Sequence, residues 1–232
     1  MIKFKFRVVI IFLSFGITMF IACIQQNRNV HSKKQSESIK QSQEDLLHGL
    51  AVAVCYSGFR TGQHPDRGDG AINPSYEEVL EDLQILAHNS NFGMIRVYDS
   101  GENSEMILKV IKENNIDIKV MLGIWLRAEL SNHETCEWLN EPIPQETLTR
   151  NKELNLEEIQ KGIGIANAFP EIVIAVNVGN EALVDWNDHK VNTDTIIAYV
   201  KKVKSCIEQA VTVAENYKWW ADYGAGLAKE VD

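Results

Sequence analysis

Between Leu50 and Lys229 the chain alternates five times between a short apolar run and a stretch of helical spacing, with no hairpin signal between them. The runs are Leu50 to Tyr56, Phe92 to Tyr98, Ile116 to Trp125, Ile172 to Val178 and Val211 to Ala214. After the first, Ser75 reads as a helix N-cap with Glu78 three residues on, and Tyr76, Val79, Leu80, Leu83 and Leu86 recur at helical intervals. Further helices are expected from Met106 to Ile111, Leu154 to Ala168 and Thr195 to Cys206, with a short one from Ala221 to Lys229. Strands joined by helices run parallel, because each crossover returns the chain to the same end of the sheet. The alternation of strand and helix alone also admits a doubly wound sheet. That fold usually opens with a glycine-rich turn, and Tyr56-Ser57-Gly58-Phe59 is not one.

Alternation along the strands favours a β/α barrel. In the fourth run Ile172, Ile174, Val176 and Val178 share a face suited to packing against helices. The opposite face, Val173, Ala175, Asn177 and Gly179, is smaller and leads on to Glu181. In the second run Arg96 and Tyr98 lie opposite Ile95 and Val97. An arginine and a tyrosine turned toward a shared interior suggest a site, and barrel enzymes keep their chemistry at the ends of their strands. Glu181 stands at such an end. Behind mostly apolar residues a carboxylate is costly to bury unless it is used or paired. A mostly apolar wall would also raise its pKa toward the range a general acid needs. The competing reading makes Asn180 the cap of a helix whose first turn holds Glu181. Spacing leaves both open.

The two ends bound what surrounds this fold. Lys3, Lys5 and Arg7 precede an apolar stretch from Val8 to Ile21, short of the roughly 20 residues a membrane span needs and suited to a signal-peptide core. It closes in Phe20-Ile21-Ala22-Cys23, which resembles a bacterial lipobox with Cys23 as the lipid-bearing residue. An uncleaved anchor with an incidental cysteine is the alternative. Residues 1–22 are therefore expected to be a lipoprotein signal peptide, 23–45 a polar tether and 46–232 the folded domain. Loss of the signal removes three of the 23 basic residues and none of the 32 acids, taking the net charge from −9 to −12. So acidic a chain argues against nucleic acid and fits a neutral partner. Cys55 and Cys206 sit in apolar and helical runs that suit buried thiols, and no Cys/His spacing suggests a metal.

Val178-Gly179-Asn180-Glu181-Ala182 resembles the strand-four signature of the glycosidase clan whose acid and nucleophile lie on strands four and seven. With Val54-Cys55-Tyr56-Ser57-Gly58, Ile95-Arg96-Val97-Tyr98-Asp99 and Val120-Met121-Leu122-Gly123, it is similar to glycoside hydrolase family 17, the endo-β-1,3-glucanases and related glucanosyltransferases. Val211-Thr212-Val213-Ala214-Glu215 followed by Trp219-Trp220 also looks like strand five of bacterial members. The resemblance runs from about Gly49 to Asp232. It implies a (β/α)8 TIM-barrel glycosidase, of which about five β/α units are present: residues 46–232 number fewer than 190, against roughly 250 for a full barrel.

The same resemblance implies a retaining mechanism. Glu181 would be the general acid/base, Asn180 would bond the 2-hydroxyl of the sugar being cleaved, and Tyr98 would lie near that sugar. Arg96, Tyr56, Trp125 and Trp219 complete the expected substrate-binding set, since an indole suits the apolar face of a pyranose. The family nucleophile, a strand-seven glutamate, would lie beyond Asp232, so the chain alone is expected to be inactive, and a barrel cut there to be partly open at its first and fifth strands. Glu215, Asp99 and Glu102 follow strands but suit loop capping, hydrogen bonding or contact with sugar hydroxyls better than nucleophilic attack. Glu129, Glu134, Glu137 and Glu141 are expected to be solvated, and His64, Asp66 and Arg67 to line the cleft or stabilise the first loop. Trp138, Trp186 and Trp220 could stack on sugars or simply pack. No cofactor or metal is implied. The expected partners are β-glucan and, through the Cys23 lipid, a membrane of the bacterial cell envelope, with a monomer as the complete form. The alternatives are a non-catalytic glucan-binding surface lipoprotein and a β-1,3-glucanosyltransferase.

Overall fold

The computed structural model describes residues 52–66, 70–89 and 92–232. Five strands, β1 (Val52–Cys55), β2 (Phe92–Arg96), β3 (Lys119–Ile124), β4 (Val173–Asn180) and β5 (Ala210–Ala214), form one sheet in the order of the chain, every neighbouring pair parallel. Sequential order decides between the two parallel folds. A doubly wound sheet reverses its order part-way and places helices on both faces, whereas four right-handed crossovers in one direction keep every helix on one face. The helices are α1 (Tyr76–Gln84), α2 (Glu102–Glu113), α3 (Gln145–Ala168), α4 (Thr193–Lys204) and α5 (Tyr217–Tyr223). Among the described residues no helix is long and apolar enough to cross a membrane. The signal sequence, Cys23 and Arg67 lie outside the described residues.

The capping box is formed as the sequence predicts. The Ser75 hydroxyl accepts the Glu78 amide and the Glu78 carboxylate accepts the Ser75 amide. A single π-helical turn, Ile85–Asn89, continues α1. Helix α3 begins at Gln145, directly after Pro144, nine residues earlier than its apolar period suggests. The polar first turns, Gln145 to Lys152, bury only Leu148, so they carry almost no periodic signal. The expected helix from Ala221 to Lys229 is instead α5 followed by a 3₁₀ turn, Leu227–Lys229. Asp232 donates its amide to the Val211 carbonyl, and its carboxylate accepts the Val211 amide and pairs with Lys204. The last residue thus stands against the hydrogen-bonding edge of β5.

The core lies between the sheet and its helices. Val120, Leu122 and Ile124 of β3 and Val173, Val176 and Val178 of β4 are all fully buried and register as neighbours. That set corrects the simple alternation along β4. A bulge between Val173 and Ala175 puts Val173, in place of Ile174, on the helix face with Val176, while Ile172 just before the strand packs partly buried against the core. Cys55 also differs from expectation: it is exposed, because it pairs in register with Arg96 and faces the open side of the sheet. Cys206 is half-buried.

Candidate active site

The strand-four end departs from its own pleat, and that departure builds the site. Between Asn177, level with Thr212, and Asn180, level with Ala214, β4 carries one residue more than β5. Gly179 takes up the excess at φ 80°, the left-handed region that costs a residue with a Cβ about 1–2 kcal/mol. A methyl group there would also come within 3.3 Å of Leu126. The buried Asn177 braces this bulge by donating its amide to the Gly179 carbonyl at 2.6 Å. Strict alternation would turn Asn180 toward the helices with Val176 and Val178. The bulge instead turns it inward, where its Oδ1 accepts a hydrogen bond of 2.6 Å from the Arg96 guanidinium. That guanidinium also lies 4.9 Å above the Tyr98 ring. Tyr98 hydrogen-bonds Cys55, and this contact, ahead of burial, raises its pKa.

Glu181 follows in a left-handed conformation of its own, φ 49°, with its side chain half-buried. For a residue other than glycine this conformation persists only where its surroundings impose it, and such residues cluster at functional sites. No helix starts here. The next one, α4, is capped by Asn192, so the reading of Asn180-Glu181 as a helix cap is overturned. The Glu181 amide is fixed instead by the Ala214 carbonyl at 2.7 Å, and its carbonyl accepts from Asn187 at 3.1 Å.

Two cavities open at this end of the sheet, and the lining of neither includes Arg96, Asn180 or Glu181. One, of about 780 Å³, runs over the ends of β1 to β3 and is lined by Tyr56, Tyr98, Trp125 and His189 among others. The second, of about 550 Å³, lies between the β4 loop and α5, with Trp186, Trp219 and Tyr223 on its walls. The two preferred stacking residues, Trp125 and Trp219, therefore fall in different cavities. Tyr56 borders the larger one, but its ring is buried and its hydroxyl donates to Asp82 of α1 at 2.9 Å.

No protein-family profile matches the sequence, and no curated protein sequence does. Among solved structures the chain is similar to an endo-laminarinase from Formosa Hel1_33_131, at 26% identity and a TM-score of 0.61 over 78% of this chain. The fold is that of the TIM-barrel glycosidases. The match covers 48% of the laminarinase, so this chain spans about half its length. A mutant β-1,3-glucanosyltransferase of Rhizomucor miehei, in complex with laminaritriose, aligns at 15% identity over 78% of this chain and 54% of its own, with a TM-score of 0.49.

In a TIM barrel the carboxyl ends of the strands form the working face. Arg96, Tyr98, Asn180, Glu181 and Glu215 all belong to the ends of β2, β4 and β5. The other acids named from sequence are engaged elsewhere. Asp99 accepts the Gly101 amide and the Ser104 hydroxyl at the start of α2, which Glu102 begins. Asp66 accepts the Gly70 amide, and His64 pairs with Ile72 across the same loop. Glu134, Glu137 and Glu141 are exposed as expected, but Glu129 is half-buried. Its carboxylate accepts from the buried Asn155 at 2.9 Å and from the Tyr199 hydroxyl at 2.5 Å, which ties the β3 loop to α3 and α4. Trp138 is 79% exposed, whereas Trp220 packs edge-on against Trp219.

Sequence reasoning missed two side chains that shape this face. His189 stacks 4.5 Å from Trp125, with its Nε2 only 2.9 Å from the Asn180 carbonyl. Glu158 of α3 accepts the Ser100 amide at 2.6 Å, and burial raises its pKa. Neither belongs to a strand end, so no strand-end motif could have flagged them. Among the described residues no three His, Cys, Asp or Glu side chains gather as a metal would require.

Proposed function

We propose that this chain supplies the acid/base side of a retaining β-1,3-glucan-cleaving site of the family 17 type. The observation that carries the reading is the convergence of Arg96 and Asn180, from strands two apart in the sheet, on one 2.6 Å hydrogen bond beside Tyr98. The likeness to a laminarinase supports a β-1,3-glucan as substrate. In this reading Asn180 is held with its amide group free to meet the 2-hydroxyl of the sugar being cleaved. Glu181, next along the turn, protonates the departing glycosidic oxygen and afterwards deprotonates the incoming water or acceptor sugar. The partner carboxylate, about 5–5.5 Å away in a retaining enzyme, is the strand-seven glutamate that the family resemblance implies. Trp125 and Trp219 offer apolar faces to sugar rings on either side of the turn.

Binding tests this directly on the full chain. Laminari-oligosaccharides are expected to quench tryptophan fluorescence saturably. Arg96→Met removes a charged donor worth about 1.5–3 kcal/mol, so it should weaken that binding by about tenfold or more through loss of Asn180 orientation. Equal affinity for β-1,4-linked glucan oligosaccharides, or an unchanged Arg96→Met variant, would contradict the assignment. We place the protein in the bacterial cell envelope, anchored through Cys23. Mass spectrometry of the membrane fraction should find an N-terminal lipidated Cys23, and an intact Met1 would exclude this.

A further inference from the structure

We propose that Glu215 is a positioning residue for Glu181: its carboxylate holds the backbone of the turn that aims the Glu181 side chain. Three consecutive amides leave the end of β4 toward β5. The Glu181 amide goes to the Ala214 carbonyl at 2.7 Å, and the Leu183 amide goes to the Glu215 carboxylate at 2.8 Å. The amide of Ala182, between them, also favours the charged Glu215, as does that of Asn216. Successive N–H groups around a left-handed residue form a concave nest for an anion, and here the chain provides that anion from its own next strand. Two adjacent residues of β5's end, Ala214 and Glu215, thus fix the unusual backbone at Glu181. The proposal rests on the reading of Glu181 as the acid only for its consequence in rate.

The arrangement is not the most stable one available. The second carboxylate oxygen, Oε2, is buried with no hydrogen-bond partner, which is costly for a charged group. Burial is accordingly the main cause that raises the Glu215 pKa to about 7, opposed by the Leu183 and Asn216 amides and assisted by the charge of Glu181. Of the other charged groups on the surrounding elements, Lys218 is paired with Asp222 on α5 and Lys190 with Asp185 in the β4 loop. A purely structural position would be better filled by a neutral side chain. A carboxylate kept there against its own burial cost fits a role in directing the turn, in line with the exchange of stability for activity at working sites.

The folded pKa of Glu215 is raised, so the stability linked to its protonated form is fully present below its ordinary value. That stability is lost as pH rises through about 7. Glu215→Gln keeps the shape without the charge. In the full-length chain, ¹⁵N–¹H spectra should show the Ala182 and Leu183 amides titrating with a midpoint near 7, and Glu215→Gln should abolish that titration and displace both peaks. Glu215→Gln should also have a higher unfolding midpoint than the parent at pH 8 and a flatter dependence on pH. In the eight-stranded enzyme it should lower kcat by about 10²-fold, the penalty of a misplaced reacting group, while KM changes little. Amides of Ala182 and Leu183 that ignore pH would overturn the proposal. So would a Glu215→Gln variant that is stabilised at pH 8 with both amides and kcat unmoved. The amide titration can be read whether or not the protein cleaves glucan, so its failure is separable from failure of the functional reading.

Discussion

Glu181→Gln, made in the eight-stranded enzyme that the family resemblance implies, is expected to retain laminari-oligosaccharide binding and lose hydrolysis of unactivated β-1,3-glucan. Glutamine preserves the volume and one hydrogen-bonding oxygen but has no proton to give. General acid–base assistance is worth roughly 10²–10⁴ in rate, and the loss should be at least of that order. The turn itself should survive, because the Glu181 backbone is held by the Ala214 carbonyl and by Asn187, not by its side chain. A steady-state assay on laminarin-type glucan beside a binding isotherm separates the two effects. Loss of binding along with turnover would mean that the residue shapes the cleft and does not serve as its acid.

The second large effect concerns folding. Gly123 of β3 lies directly beneath the main chain of Tyr98, where a Cβ would fall 2.2 Å from the Tyr98 carbonyl carbon and 2.3 Å from its oxygen. Backbone cannot swing aside as a side-chain tip can. Gly123→Ala must therefore push the exit of β2 away from β3, breaking the 2.8 Å bond from Ser100 Oγ to the Gly123 carbonyl. We expect a loss of more than about 3 kcal/mol, a large share of the roughly 5–15 kcal/mol that stabilises a domain. Gly164, on the exposed side of α3 with no atom near its missing Cβ, provides the control. Gly164→Ala should stabilise the chain by about 0.5–1 kcal/mol. Urea unfolding of the two variants should move in opposite directions, and a Gly123→Ala midpoint equal to that of the parent would refute the close approach.

The parallel alternating fold was legible because each strand run is apolar, short and followed by a helical period. Position along the strands was legible only where the pleat is regular. Arg96 and Tyr98 face the open side as alternation requires, since β2 and β3 pair without a bulge. In β4 two bulges break the count, and the second decides the site by turning Asn180 toward Arg96. A lone Gly179 within a strand is the sequence signal for such a bulge, though it does not say which way the next residue turns.

Partners distant in sequence were harder to see. Glu129 finds Tyr199 seventy residues on, and Glu215 finds Leu183 thirty-two residues back. An acidic surrounding made the first look solvated, and the hydrogen-bonding role expected of the second came with no indication of its partner. Cys55 looked buried because its run is apolar, but half of an apolar strand faces the open side of this sheet.

The assignment of Glu181 is tested most sharply by an activated substrate with the Glu181→Gln variant of the eight-stranded enzyme. An aryl β-laminarioside with a good leaving group needs little protonation, so the variant should still form the glycosyl-enzyme. It should then stall, because no base is present to activate water. Azide needs no base. Added azide should restore turnover of the activated substrate and release a β-glycosyl azide, its configuration retained by two successive inversions. That product, obtained from the variant and absent without azide, is the predicted result. Near parental hydrolysis of laminarin by Glu181→Gln, or a stalled variant that azide neither rescues nor converts to the β-azide, would contradict the assignment of Glu181 as the acid/base.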